Sequence, residues 1–132
     1  MPDPRRTYED VGIGTASPER LLTLLWDRLL RDLDGALHGL VEGDLVTVNT
    51  ALVHAQDIVF ELRSSLRVDG WSGGAPLAAL YEFVESELVW ANVHKDAARI
   101  ESCRELLSPL RDAFHEAART AGAARAEVAR SA

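Results

Sequence analysis

The chain has 132 residues with 14 Lys and Arg against 21 Asp and Glu, a net charge of -7. That length fits one domain, and that charge argues against a dedicated DNA, RNA or anionic-membrane surface. A single cysteine, Cys103, excludes an intrachain disulfide and reads as a small core residue. No stretch approaches the roughly 20 apolar residues that span a bilayer, and the first residues lack the pattern of a secretory signal. A cytoplasmic chain without membrane insertion is expected.

Residues 1–16 contain Pro2, Pro4, Gly12 and Gly14 and no sustained period, which predicts a flexible N-terminal arm. Helix one opens at Ser17-Pro18-Glu19: a capping hydroxyl, a proline where its missing N–H is harmless, and a carboxylate in the positive first turn. Its apolar face runs from Leu21 through Leu29, Leu33 and Leu37 over residues 18 to 41, and Gly43 stops it. Asp44 then caps helix two, 45 to 67, whose seam is Leu45, Val48, Leu52, Ala55, Val59, Leu62 and Leu66.

The segment from Val68 to Gly74 is rich in glycine and reads as a helix connection; no lysine follows it to make a phosphate loop. Helix three, 76 to 93, begins at Pro76 and carries Leu77, Leu80, Val84, Leu88 and Ala91. Helix four, 97 to 119, carries Ile100, Cys103, Leu107, Leu110, Phe114 and Ala117, with Pro109 expected to bend or locally open it. Residues 121–132 are alanine-rich with little apolar bulk, so a poorly packed tail is expected after a bundle domain of residues 17–120. Four such seams bury one another most simply in an all-α, antiparallel four-helix bundle.

Chemistry is hard to find in this pattern. A carboxylate-bridged di-metal bundle needs paired Glu-x-x-His motifs, and the nearest spacing, Asp112-x-x-His115, occurs once. His38, His54 and His94 have no ligand at metal-site spacing, and nothing presents a nucleophile on a strained turn. No catalytic residue, metal or cofactor is assigned, and the chain is not read as an enzyme. Apolar residues off the seams are more informative: Val46, Val53 and Phe60 lie seven apart in helix two, as do Phe83 and Trp90 in helix three. They either broaden an irregular core or line an outer groove for an apolar peptide.

Several motifs occur in order: Tyr8, Thr15-Ala16-Ser17-Pro18, Leu25-Trp26-Asp27, Ala55 to Leu62 with Gln56-Asp57-Ile58-Val59, Leu80-Tyr81-Glu82-Phe83, and Ala91-Asn92. From Tyr8 to about Glu116 this order resembles the flagellin-specific secretion chaperones, the FliS family. The resemblance implies a helical-bundle export chaperone that binds the disordered C-terminal segment of flagellin in the cytoplasm, prevents premature polymerisation and delivers it to the flagellar export apparatus. It matches Ile58 and Leu62 to groove-lining positions and the arm carrying Tyr8 to a segment that lies over an empty groove. With the off-seam residues Phe60, Phe83 and Trp90, these form the expected client-binding set.

The chain also departs from the family pattern. Ser86-Glu87 stand where relatives often carry an arginine pair, Trp90 where many carry glutamate, and Phe60 at a commonly polar position. These exchanges make one face less basic and more apolar. The rival reading is a non-enzymatic helical adaptor or dimerisation module with another protein client, and a homodimer is compatible with either.

Overall fold

The computed structural model describes residues 17–67 and 69–131. Four helices make up the described residues, with no strand among them: α1 Pro18–Glu42, α2 Leu45–Ser65, α3 Gly74–His94 and α4 Ala97–Ser131. Each packs on its sequence neighbours and α4 closes against α1, giving the antiparallel four-helix bundle. Tyr8 and the rest of the arm lie outside the described residues.

The helix ends follow from local chemistry. Ser17 Oγ accepts from the Arg20 N–H at 3.2 Å, and Asp44 accepts from the N–H of Thr47 at 3.1 Å, so both caps satisfy donors that the first turn leaves free. Gly43 adopts a left-handed φ of 71°, letting the N–H groups of Gly43 and Asp44 turn back to the carbonyls of Leu40 and Gly39. Lys95 plays the same part after α3 at φ 52°, and there the N–H of Asp96 reaches the carbonyl of Ala91 at 3.0 Å. Both reversals are thus completed within two residues.

Gly39 allows α1 and α2 to approach closely, since a Cβ there would stand 2.9 Å from Val48 Cγ2 and 3.2 Å from the Asp44 carbonyl oxygen. The core runs through all four helices and has an aromatic centre. Trp26 is fully buried and faces Tyr81, at 6.2 Å between ring centroids, and Phe114, at 5.2 Å.

Several details differ from the sequence expectation. On α3 the buried line is Leu77, Tyr81, Val84, Leu88 and Ala91: residues 80 and 81 both lie near the stripe, and the larger ring takes the interior. On α2 both Ile58 and Val59 are buried, because that helix is sandwiched between α1 and α3 and needs a wide apolar face. Leu45, expected to open the seam, is exposed, and burial starts at Val48.

Helix α4 does not end near 119 but continues to Ser131. Alanines favour helix there, and side chains tie the turns: Arg119 to Glu116, Arg130 to Glu127, and Arg125 across to Glu19 at the start of α1. Residues 124–131 are exposed. Pro109 lies within the continuous helix, and both Pro109 and Glu105 are exposed, so the turn that lacks the Pro109 N–H donor lies on the outer side of the bundle.

Candidate functional site

The expected client-binding residues do not gather at one place. Ile58 is fully buried in the core. Leu62 is 2% exposed and touches open space only as part of the lining of a hollow of about 190 Å³ shared with Leu22, Leu66, Tyr81 and Phe114. Both are therefore interior side chains that shape the surface from beneath. Phe60 is half-buried on the α2–α3 side, under the Arg63 guanidinium at 5.5 Å from its centroid, and Arg63 pairs with Glu85 at 3.1 Å. A shallow hollow of about 210 Å³ joins Phe60 to Gln56 and Val89.

Phe83 and Trp90 lie on a different face. Trp90 is 44% exposed, stacked closely on His94, with the Arg99 guanidinium of α4 4.5 Å from its ring centroid. Arg99 also binds Glu87 at 2.5 Å. Two departures from the family pattern, Glu87 and Trp90, thus form one unit around a single α4 arginine, in which the cation is shared between a carboxylate and a π face. Phe83, half-exposed and seven residues before Trp90, continues this α3–α4 stripe.

Polar ties between helices account for much of the remaining motif. Asn92 of Ala91-Asn92 donates to Asn49 of α2 at 2.8 Å and accepts from Lys95 at 2.6 Å, while Ala91 is fully buried. Its role is to fix α3 against α2. Asp27 of Leu25-Trp26-Asp27 meets His115 of α4 at 2.6 Å, and buried Asp32 holds Arg28 at 3.0 Å and His54 of α2 at 2.5 Å. Asp27 and Asp32 thus link α1 to α4 and to α2.

The sequence reading missed an apolar hollow. About 530 Å³ opens between the first turns of α3 and the middle of α4, lined by Trp71, Pro76, Leu77, Leu80, Leu110 and Phe114 among others, with almost no polar surface. Its signal was present in the α4 seam, where Leu110 and Phe114 stay half-buried. The other signal was a tryptophan set among connector glycines.

Among the described residues no group of three or more His, Cys, Asp or Glu side chains is placed to hold a metal. Burial pushes the Cys103 thiol up to about 11, with the Glu87 charge adding to the effect and Arg99 opposing it. Burial also raises the Tyr81 phenol well above its usual range. Both groups are thereby held in their neutral forms. No helix of the described residues is long and apolar enough to cross a membrane.

Comparison with known proteins agrees with this bundle and its motifs. The family model described as "Flagellar protein FliS" matches residues 1–121. The "Flagellar secretion chaperone FliS" of Bacillus subtilis is 26% identical over 115 residues, covering 87% of this chain and 86% of the relative. The protein of the same name from Salmonella typhimurium is 32% identical over 108 residues, 79% of this chain and 78% of the relative. That from Vibrio cholerae is 24% identical over 113 residues, 85% of this chain and 83% of the relative. With a family match over residues 1–121 and relatives bearing one name matched over most of their length, this chain belongs to the FliS family of flagellar secretion chaperones.

Proposed function

We propose that the chain binds the disordered C-terminal segment of flagellin in the cytoplasm, keeps it from polymerising prematurely and delivers it to the flagellar export apparatus, without catalysing a reaction. The observation that carries this reading is the spread of exposed apolar side chains over α2, α3 and α4. Val46, Val53, Phe83, Val89, Trp90 and Leu106 are each at least 43% exposed. No single deep pocket collects them.

A client that orders as it binds gives up conformational entropy and so requires a long contact surface rather than one cavity. Shallow apolar strips on two faces, together with the apolar hollow between α3 and α4, offer such a surface. The name shared by the relatives, flagellar secretion chaperone, supports the same reading.

The test is a calorimetric titration of the purified protein with the C-terminal segment of its host's flagellin. One-to-one binding, a negative heat-capacity change and a gain of helical circular dichroism in the client are expected. No heat and no change in client dichroism at micromolar concentrations would remove this function.

A further inference from the structure

Two hollows at one end of the bundle share a wall. The larger lies between α3 and α4 and the smaller among all four helices, with Tyr81 of α3 in its wall, and Trp71 and Phe114 line both. The two rings are held very differently. Phe114 belongs to α4 and stacks on buried Trp26. Trp71 lies outside any helix, is 53% exposed, and has one polar anchor, its Nε1–H donated to the Arg67 carbonyl at 2.8 Å.

Gly73 supplies the seat for that indole. A Cβ at residue 73 would fall 2.1 Å from ring atom Cζ3 and 2.6 Å from Cε3, and all three of its nearest contacts would be to Trp71. The backbone of Gly73, at φ -84° and ψ -10°, is one that any residue adopts. The close approach of the ring therefore accounts for the small residue, whereas backbone conformation does not.

We propose that the Trp71 side chain is a gate. Seated on Gly73, it divides one apolar trench into two hollows; rotated away about its own side-chain bonds, it joins them from Leu22 and Leu66 to Leu110 and Ala117. The occupant that takes the opened trench is an apolar helical turn of the flagellin segment. The chemistry of that occupant is set by the walls, almost wholly apolar in the larger hollow and apolar with Ser65 and Arg67 at the edge of the smaller, and by the resident indole, which shows that a large aromatic or aliphatic side chain fits there. This inference rests on the client reading above and adds to it the step that controls access.

The experiment compares wild type with Trp71→Ala, Gly73→Ala and the double variant, each as the full chain. One readout is stopped-flow association of a labelled flagellin C-terminal peptide; the other is capture of anilinonaphthalene sulfonate without client. Removing or unseating the gate should raise the association rate about threefold or more, because a closed site lowers the competent fraction. Dye capture should rise in both single variants. The Gly73→Ala effect should disappear in the Trp71→Ala background, since it acts only through the ring.

Slower or unchanged association in Trp71→Ala makes the indole a fixed wall and overturns the gate, as does a Gly73→Ala effect that persists without Trp71. If wild type does not bind the peptide, the chaperone reading fails and the gate is judged on dye capture alone, with unchanged capture overturning it.

Discussion

Replacing Ile58 and Leu62 by alanine separates the interior from the docking surface. Each change removes three carbons, about 2.4 kcal/mol at about 0.8 kcal/mol per carbon, and an uncollapsed cavity adds up to about 2 kcal/mol. Ile58 is sealed, so Ile58→Ala should lose about 4 kcal/mol. Leu62 borders the 190 Å³ hollow, whose lining can move into the space, so Leu62→Ala should lose about 3 kcal/mol. Urea denaturation followed by far-ultraviolet dichroism measures both, provided the slopes match wild type. Where the variants are still folded, Ile58→Ala should bind flagellin peptide within about threefold of wild type, a difference of about 0.7 kcal/mol. A loss of stability below about 1 kcal/mol, combined with a large loss of binding, would refute the interior assignment.

Trp90→Ala should lose roughly 1–4 kcal/mol of client binding, and about 2 kcal/mol of folding stability because only half the ring is covered; normal binding with an early melt would remove Trp90 from the docking surface. Gly39→Ala should destabilise the bundle by roughly 1–3 kcal/mol by forcing Val48 and the Asp44 carbonyl away, measured by the same denaturation. The Cys103 thiol is raised from 9.0 to about 11, so its contribution is complete below pH 9.0 and is lost as pH climbs to about 11. The stability difference between wild type and Cys103→Ala should accordingly shift against wild type by about 1.4 kcal/mol per pH unit within that window. Truncation after Thr120 should reduce helical signal while moving the melting temperature by less than about 4 °C, because residues 124–131 are exposed.

The fold was legible because its signals are local. Ser17, Gly43 and Asp44 mark helix ends by chemistry that operates within a turn, and three-and-four spacing gave the helices and most of their buried lines. Periodicity could not choose between Leu80 and Tyr81, which flank the buried stripe on opposite sides, nor show that α2 has two neighbours. Alanine after Thr120 carried helix propensity without packing information, and the Glu19–Arg125 tie joins residues too distant in sequence to be read from it. The proposed docking surface was the least legible part. Off-seam spacing set Phe60, Phe83 and Trp90 apart from the core lines, yet the surroundings of each depend on partners such as Arg63 and Arg99. The hollow beside Trp71 is a gap between elements, and the sequence carried only its edges, the α4 seam at Leu110 and Phe114 and a tryptophan among connector glycines.

The two-residue reversals at Gly43-Asp44 and Lys95-Asp96 sit at one pole of the antiparallel bundle, and the Asn49–Asn92–Lys95 bonds lie beside them. At the opposite pole α2 and α3 are joined by the longer stretch 66–73, where both hollows lie. The two poles are therefore built differently: one is closed by tight reversals and side-chain amide hydrogen bonds, while the other has a longer connection and two hollows, with α1 and α4 still tied there by Glu19 and Arg125. On the gate proposal, an apolar segment is accommodated at this second pole while the first keeps the order and register of the helices. Amide exchange should follow the same gradient, slow near Val48 and Ala91 and faster toward Leu62 and Leu77, and occupancy of the trench should slow exchange most at that second pole.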